Sequence, residues 1–238
     1  VLSAAFLWLA VTRNSRRFWV AYALAGIALV YTHVFGWFVL LAGTCYLLFR
    51  NDRRLLGRLI LSQGIIMLAF IPWVPLVLKQ VGQAGLWVPD VWRNTPPALA
   101  VLKTMECFSA GGNYPVYLAF AHISPLRYLS YAVFALLGLA AAAPQRDREI
   151  EGDVQNAKSA KYFVLSHLFV PLLVPFIISF IKPVYVVGRY DFMAYPFFAI
   201  LIGVGIGKLS RYAWAGIFVI AVLASYSLAK YFSNPLPE

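Results

Sequence analysis

Three places in this sequence carry side chains whose types and spacing could do chemistry. The first is KPVYVVGRYD, where Lys182, Arg189 and Tyr190 stand with Tyr185 and Asp191 just ahead of an apolar run. A planar guanidinium can clamp a phosphate through two parallel N–H donors, and a nearby ammonium adds a second positive charge. Arg189, Lys182 and Tyr190 are therefore candidates for holding a phosphate. The bland alternatives are an ion pair from Arg189 to Asp191, or snorkelling to lipid headgroups. The second place is GLWVPDVWR. There Trp87 and Trp92 can stack on a sugar face while Asp90 and Arg93 bond its hydroxyls, although tryptophan also anchors membrane interfaces without any ligand. The third is His33 in YTHVFG. Its imidazole can ligate a metal ion or contact a phosphate, or it can simply bond a backbone carbonyl, with Thr32 capping the helix that follows. His122 and His167 read as structural, His167 as a hydrogen-bonding core residue.

The elements that must position these groups follow from composition. The chain is 62% hydrophobic and 12% charged, with a positive mean hydropathy, whereas soluble domains carry about 25% charged residues. It reads as an integral membrane protein. Its apolar runs are long and continuous rather than alternating, so an all-α, polytopic transmembrane bundle is expected rather than a barrel. The run 18–49 is too long for one span of a roughly 30 Å hydrocarbon layer. It should split at 31–36, where polar groups and a glycine permit a turn. Further spans are expected at 59–78, kinked by Pro72 and Pro75, and at 128–143, 162–181, 192–207 and 212–229. With 18–31 and 36–49 they make seven complete spans. The run 1–11 reads as the tail of another span, with more sequence before it. The segment 79–127 should include a surface helix over 98–108 with an apolar and a polar face, and 144–161 reads as a hydrophilic loop.

The net charge of +11 resides in short loops, which points to membrane topology and away from nucleic acid. Alternate loops carry Arg13, Arg16, Arg17, Arg50, Arg53, Arg54, Arg58, Arg146, Arg148, Lys158, Lys161, Lys208 and Arg211 on one side. The other side has Lys79, Arg93, Lys103, Arg127, Lys182, Arg189 and Lys230. The richer side is expected to be cytoplasmic, with 144–161 on it. The His33 turn, the 79–127 segment and the KPVYVVGRYD connection then all face outward. Cys45 and Cys107 read as two unpaired thiols.

In that order, FWVAYALAGIALVYTHVFGWFVLL, a basic loop, FIPWVPLVLKQ, GLWVPD with FSAGG, and GRYDFMAYPFFAILIGVGI resemble the later part of bacterial type C membrane glycosyltransferases. These are the multi-spanning enzymes related to protein mannosyltransferases and aminoarabinose transferases. The resemblance covers essentially the whole chain and implies the C-terminal part, 1–238, of such an enzyme in the cytoplasmic membrane. It would move a sugar from a polyprenyl-phosphate donor to an acceptor on the outer face. It also implies a catalytic carboxylate in an outer loop before Val1, so neither Asp90 nor Asp191 is assigned that role. Arg189 matches the basic residue ahead of a late span, suited to the lipid phosphate. A divalent metal ion could assist the leaving group, with His33 as a candidate ligand. Two other classes remain open: a non-catalytic membrane subunit of a larger complex, and a lipid or polysaccharide transporter.

Overall fold

The structure, a computed structural model, describes residues 1–84, 97–110, 125–143, 151–181, 184–187 and 191–233. Among these residues every regular element is helical. The α-helices are α1 (Leu2–Arg13), α2 (Arg16–Thr32), α3 (Gly36–Arg50), α4 (Arg53–Phe70), α5 (Val74–Ala84), α6 (Pro97–Ala110), α7 (Pro125–Ala142), α8 (Glu151–Ile178), α9 (Tyr195–Lys208) and α10 (Ala213–Ser233).

A few residues set the turns. Asn14 and Asn51 stop α1 and α3 with φ of 47° and 56°, the left-handed region that asparagine enters more readily than most residues. Asp52 then opens α4, its carboxylate accepting the Leu55 amide at 3.1 Å and so satisfying a donor that a helix start leaves bare. The run 18–49 divides as expected, between Thr32 and Gly36. A Cβ on Gly36 would lie 2.7 Å from Leu29 Cγ and 3.2 Å from the Leu29 carbonyl, so the close return of the chain suits glycine. At Pro72 the α-helix gives way to a 3₁₀ turn, Ile71–Trp73, before α5 continues. The missing proline N–H accounts for the break.

Two expectations change. The hydrophilic stretch 144–161 is not a loop throughout: α8 starts at Glu151 and runs on into the apolar part without interruption. The polar first turns of a long helix can extend past a membrane edge, where water solvates their side chains. Thr32 does not cap α3 either. Its hydroxyl donates back to the Leu29 carbonyl at 2.8 Å.

Three stretches are long and apolar enough to cross a membrane: Arg53–Gln80, Ala157–Ile178 and Asp191–Lys208. Shorter apolar helices occupy Leu2–Arg13, Gly36–Arg50, Tyr128–Ala142 and Ser210–Tyr226. Large apolar side chains on these helices point outward, Leu61 and Leu68 each 68% exposed and Leu139 69%. Apolar exposure on that scale suits hydrocarbon surroundings.

The chain forms two compact units, residues 1–89 with 148–184, and residues 90–147 with 185–238. In the first, α2 packs on α1 and α4, and α3 packs on α8. Its interior holds Leu7, Tyr22, Tyr46, Leu59, Ile66 and Leu172. Gln63 is the polar centre. Its Nε2 donates to the Leu40 carbonyl at 2.9 Å and to the Tyr22 hydroxyl at 3.2 Å, and its Oε1 accepts from Thr44 at 3.1 Å. These half-buried bonds tie α2, α3 and α4 together. His167 is the core residue expected, 1% exposed and with Nδ1 2.9 Å from the Phe163 carbonyl.

The ends of this unit differ in character. At one end Arg58 donates to Asn14 Oδ1, and Arg50 Nη1 donates to Ser159 Oγ at 2.8 Å. At the other, Tyr31 packs against Phe70 and Trp73, Trp37 packs against Phe70, and the Tyr31 hydroxyl donates to the Ala69 carbonyl at 2.7 Å. In the second unit α9 lies along α7, and α6 packs on α7 and α10. Lys208, at the end of α9, donates to the carbonyls of Ala141 and Ala143. Its ammonium thus closes the carboxyl end of α7, where the helix dipole is negative.

Candidate functional site

At the opposite end of α9 from Lys208, three polar side chains from distant parts of the sequence meet. Thr104 of α6 donates to Asp191 Oδ2 at 2.6 Å, and its oxygen lies 2.5 Å from the Tyr185 hydroxyl. A threonine hydroxyl has one proton. Because that proton goes to the carboxylate, Tyr185 donates to Thr104. The order is Tyr185 to Thr104 to Asp191.

All three are inside the unit. Tyr185 is 1% exposed, and Thr104 and Asp191 are 0%. The 2.6 Å separation is what a hydroxyl makes to a charged oxygen. Burial raises the Tyr185 phenol above its ordinary value, the Asp191 charge raises it further, and the hydrogen bond between Tyr185 and Thr104 works the other way; Cys107 adds a smaller upward push. Local sequence explains how each group arrives. Thr104 lies near the middle of the apolar helix PALAVLKTMECFSA. Asp191 opens the 3₁₀ turn Asp191–Ala194 that leads into α9, a position where a carboxylate meets the positive end of the helix.

This arrangement corrects the expectation for 98–108. A surface helix should turn its polar residues to water, yet Lys103 is 5% exposed and Thr104 is fully buried. The Thr104 hydroxyl goes inward because it has a carboxylate and a phenol to bond there, which offsets the cost of removing it from water.

Among the predicted site residues, His33 is the one the structure describes. It ends α2 with an extended backbone, and its Nδ1 accepts the Phe35 amide at 3.2 Å. Its ring meets the edge of Phe35 at 5.6 Å. Nδ1 is thereby an acceptor within the turn, so ligation of a metal would fall to Nε2. Among the described residues no three His, Cys, Asp or Glu side chains gather as a metal site. Among the described residues, His33 therefore has no such set of co-ligands. Lys182, Arg189 and Tyr190 lie outside the described residues, as do Trp87, Asp90, Arg93, Trp92 and His122. Cys45 and Cys107 are not in disulfides.

Two of the three features expected on one face do come together, since α6 belongs to the 79–127 segment and Tyr185 and Asp191 to the KPVYVVGRYD connection. Sequence reading named Tyr185 and Asp191 only as neighbours of Arg189 and passed over Thr104. A threonine inside an apolar helix was the available signal, and it is a weak one. No protein-family model, curated protein or solved structure matches this chain.

Proposed function

We propose that this chain is part of a membrane glycosyltransferase that moves a sugar from a polyprenyl-phosphate donor to an acceptor on the outer face of the cytoplasmic membrane. The observation that carries the reading is the cationic pair Lys182 and Arg189 on the connection that Tyr185 and Asp191 tie to α6. That connection precedes α9, and the basic residues Lys208 and Arg211 follow it. A charge bias of this kind sets orientation, leaving Arg189 on the side that is poorer in cations. There it has more use for a ligand than for topology.

The proposed topology has seven complete spans and the tail of another. The three long apolar stretches and the four shorter ones, together with α2, supply the helices for it. The polypeptide would lie in the inner membrane with its site outward, in contact with lipid and with the polyprenyl-linked donor.

The reaction is a displacement at the anomeric carbon. An acceptor hydroxyl forms the new C–O bond, the bond to the donor phosphate breaks, and the polyprenyl phosphate leaves with the electron pair. Arg189 and Lys182 stabilise the charge that develops on it, with Tyr190 as a further donor. A general base takes the acceptor proton. Trp87, Asp90 and Arg93 are proposed to receive the sugar.

The test is transfer from a lipid-linked sugar by membranes containing the whole protein. Arg189→Ala should lower turnover by about a hundredfold or more, the order seen when a charge-stabilising donor is removed, at unchanged protein level. Turnover equal to wild type would refute the assignment.

A further inference from the structure

We infer that the first unit binds the headgroup of an anionic phospholipid where the end of α3 meets α8, with Arg50 as the central contact and Lys158 beside it. The site is separate from the donor site proposed above and rests only on the membrane character of the chain. Arg50 closes the apolar helix Gly36–Arg50, and Lys158 is the second residue of the long apolar stretch Ala157–Ile178. Both cations therefore stand where apolar helix gives way to polar chain, the level at which headgroups lie.

Two buried hydroxyls hold the guanidinium in place. Arg50 Nη1 donates to Ser159 Oγ at 2.8 Å and to the Tyr46 hydroxyl at 3.3 Å, and those two oxygens bond each other at 2.8 Å. This uses two of the five N–H donors of an arginine. The three on Nε and Nη2 meet no acceptor among the described residues, and no carboxylate of those residues pairs with Arg50 or Lys158. A planar fork fixed along one edge and unused along the other suits a pair of phosphate oxygens. Lys158 adds a second charge, its Nζ 6.0 Å from the centre of the Tyr162 ring. Tyr162 stacks in turn on Phe49, which is 68% exposed. These rings give an acyl chain an apolar wall beside the cations, which favours a lipid over a soluble phosphate. Topology alone would not require the tethers. Orientation depends on how many cations a loop carries, not on where one of them is held, whereas basic pockets between helices take up anionic headgroups.

The experiment compares spin-labelled phosphatidylglycerol with spin-labelled phosphatidylcholine for immobilisation by the purified whole chain in phosphatidylcholine nanodiscs. Wild type should prefer the anionic lipid, and equal uptake of the two would overturn the inference. Arg50→Gln should lower the preference about fivefold, the effect of one cation at an anionic surface. Arg54→Gln removes an exposed cation at the start of α4 and should change it little. An equal loss at both positions would show diffuse charge instead of a site, and wild-type preference in Arg50→Gln would refute the contact. Ser159→Ala keeps every charge but frees one tether, so it should also weaken the preference; no change there would refute the positioned fork. Excess glycerol 1-phosphate should leave the lipid bound, and displacement would make the ligand a soluble phosphate. Should Arg50→Gln not fold, Lys158→Gln tests the second cation at an exposed position, and an unchanged preference overturns the inference equally.

Discussion

A buried phenol whose proton is committed to a neighbour should resist losing it. Tyr185 donates to Thr104 in a site shared with the Asp191 carboxylate, and burial and that negative charge both raise its pKa above the usual 10.0. In the folded state Tyr185 therefore keeps its proton at pH values where the unfolded chain gives it up. The stability this contributes is fully present below the unfolded value and is lost as pH rises through the folded one. Tyr185→Phe should cost about 1 kcal/mol at neutral pH, the usual worth of one such bond. The gap between wild type and variant should then narrow from about pH 10 upward. Melting curves of both proteins across that range measure it. A gap that stays constant or widens would show that Tyr185 is not the titrating group. None of this was legible in the sequence, because Thr104 is separated from its two partners by about eighty residues and nothing in ALAVLKTMECFSA says which side chains turn inward.

Helices that lie close together need small residues at the crossing, and α9 shows which of its glycines has that task. A Cβ at Gly205 would stand 2.2 Å from the Leu137 carbonyl oxygen and 2.8 Å from its carbon, both backbone atoms of α7 that no rotamer change can move. At Gly203 and Gly207 it would meet nothing within 4 Å. Gly205→Ala should force α7 and α9 apart and cost about 1–3 kcal/mol, as overpacking does. The same change at 203 or 207 should be neutral or stabilise by up to about 1 kcal/mol, since alanine is the better helix former. Thermal melting in detergent separates the three. Equal effects would mean that α9 does not pack on α7 through Gly205. The sequence displays GVGIG but does not rank its glycines, since only the register against α7 distinguishes them. Other elements were readable because their causes are local. The division of 18–49 follows from polar residues and Gly36, and the break at 71–73 from Pro72. The early start of α8 was hidden because charged residues in PQRDREIEGDVQNAKSAK suit a solvated helix as well as a loop.

At the scale of the molecule, the contrast between the ends of each unit supports the proposed orientation. In the first unit the basic end gathers Arg50, Arg58 and the loop at Asn14, and the far end carries Tyr31, Trp37 and Trp73. Basic residues are retained on the cytoplasmic side and aromatic residues collect at membrane interfaces. The second unit repeats the contrast, with Lys208 closing α7 at one end and the Thr104 cluster at the other. Under the proposed topology the Thr104 end of the second unit faces outward. Single cysteines test this in a background of Cys45→Ala and Cys107→Ala. Val34→Cys samples the exposed turn after His33, and Arg54→Cys samples the exposed start of α4. In intact cells a membrane-impermeant maleimide should label the first and reach the second only after permeabilisation. Labelling of both from one side would mean that α2 and α3 do not form a crossing pair. The reverse pattern would turn the first unit over and refute the proposed outward placement of the His33 turn.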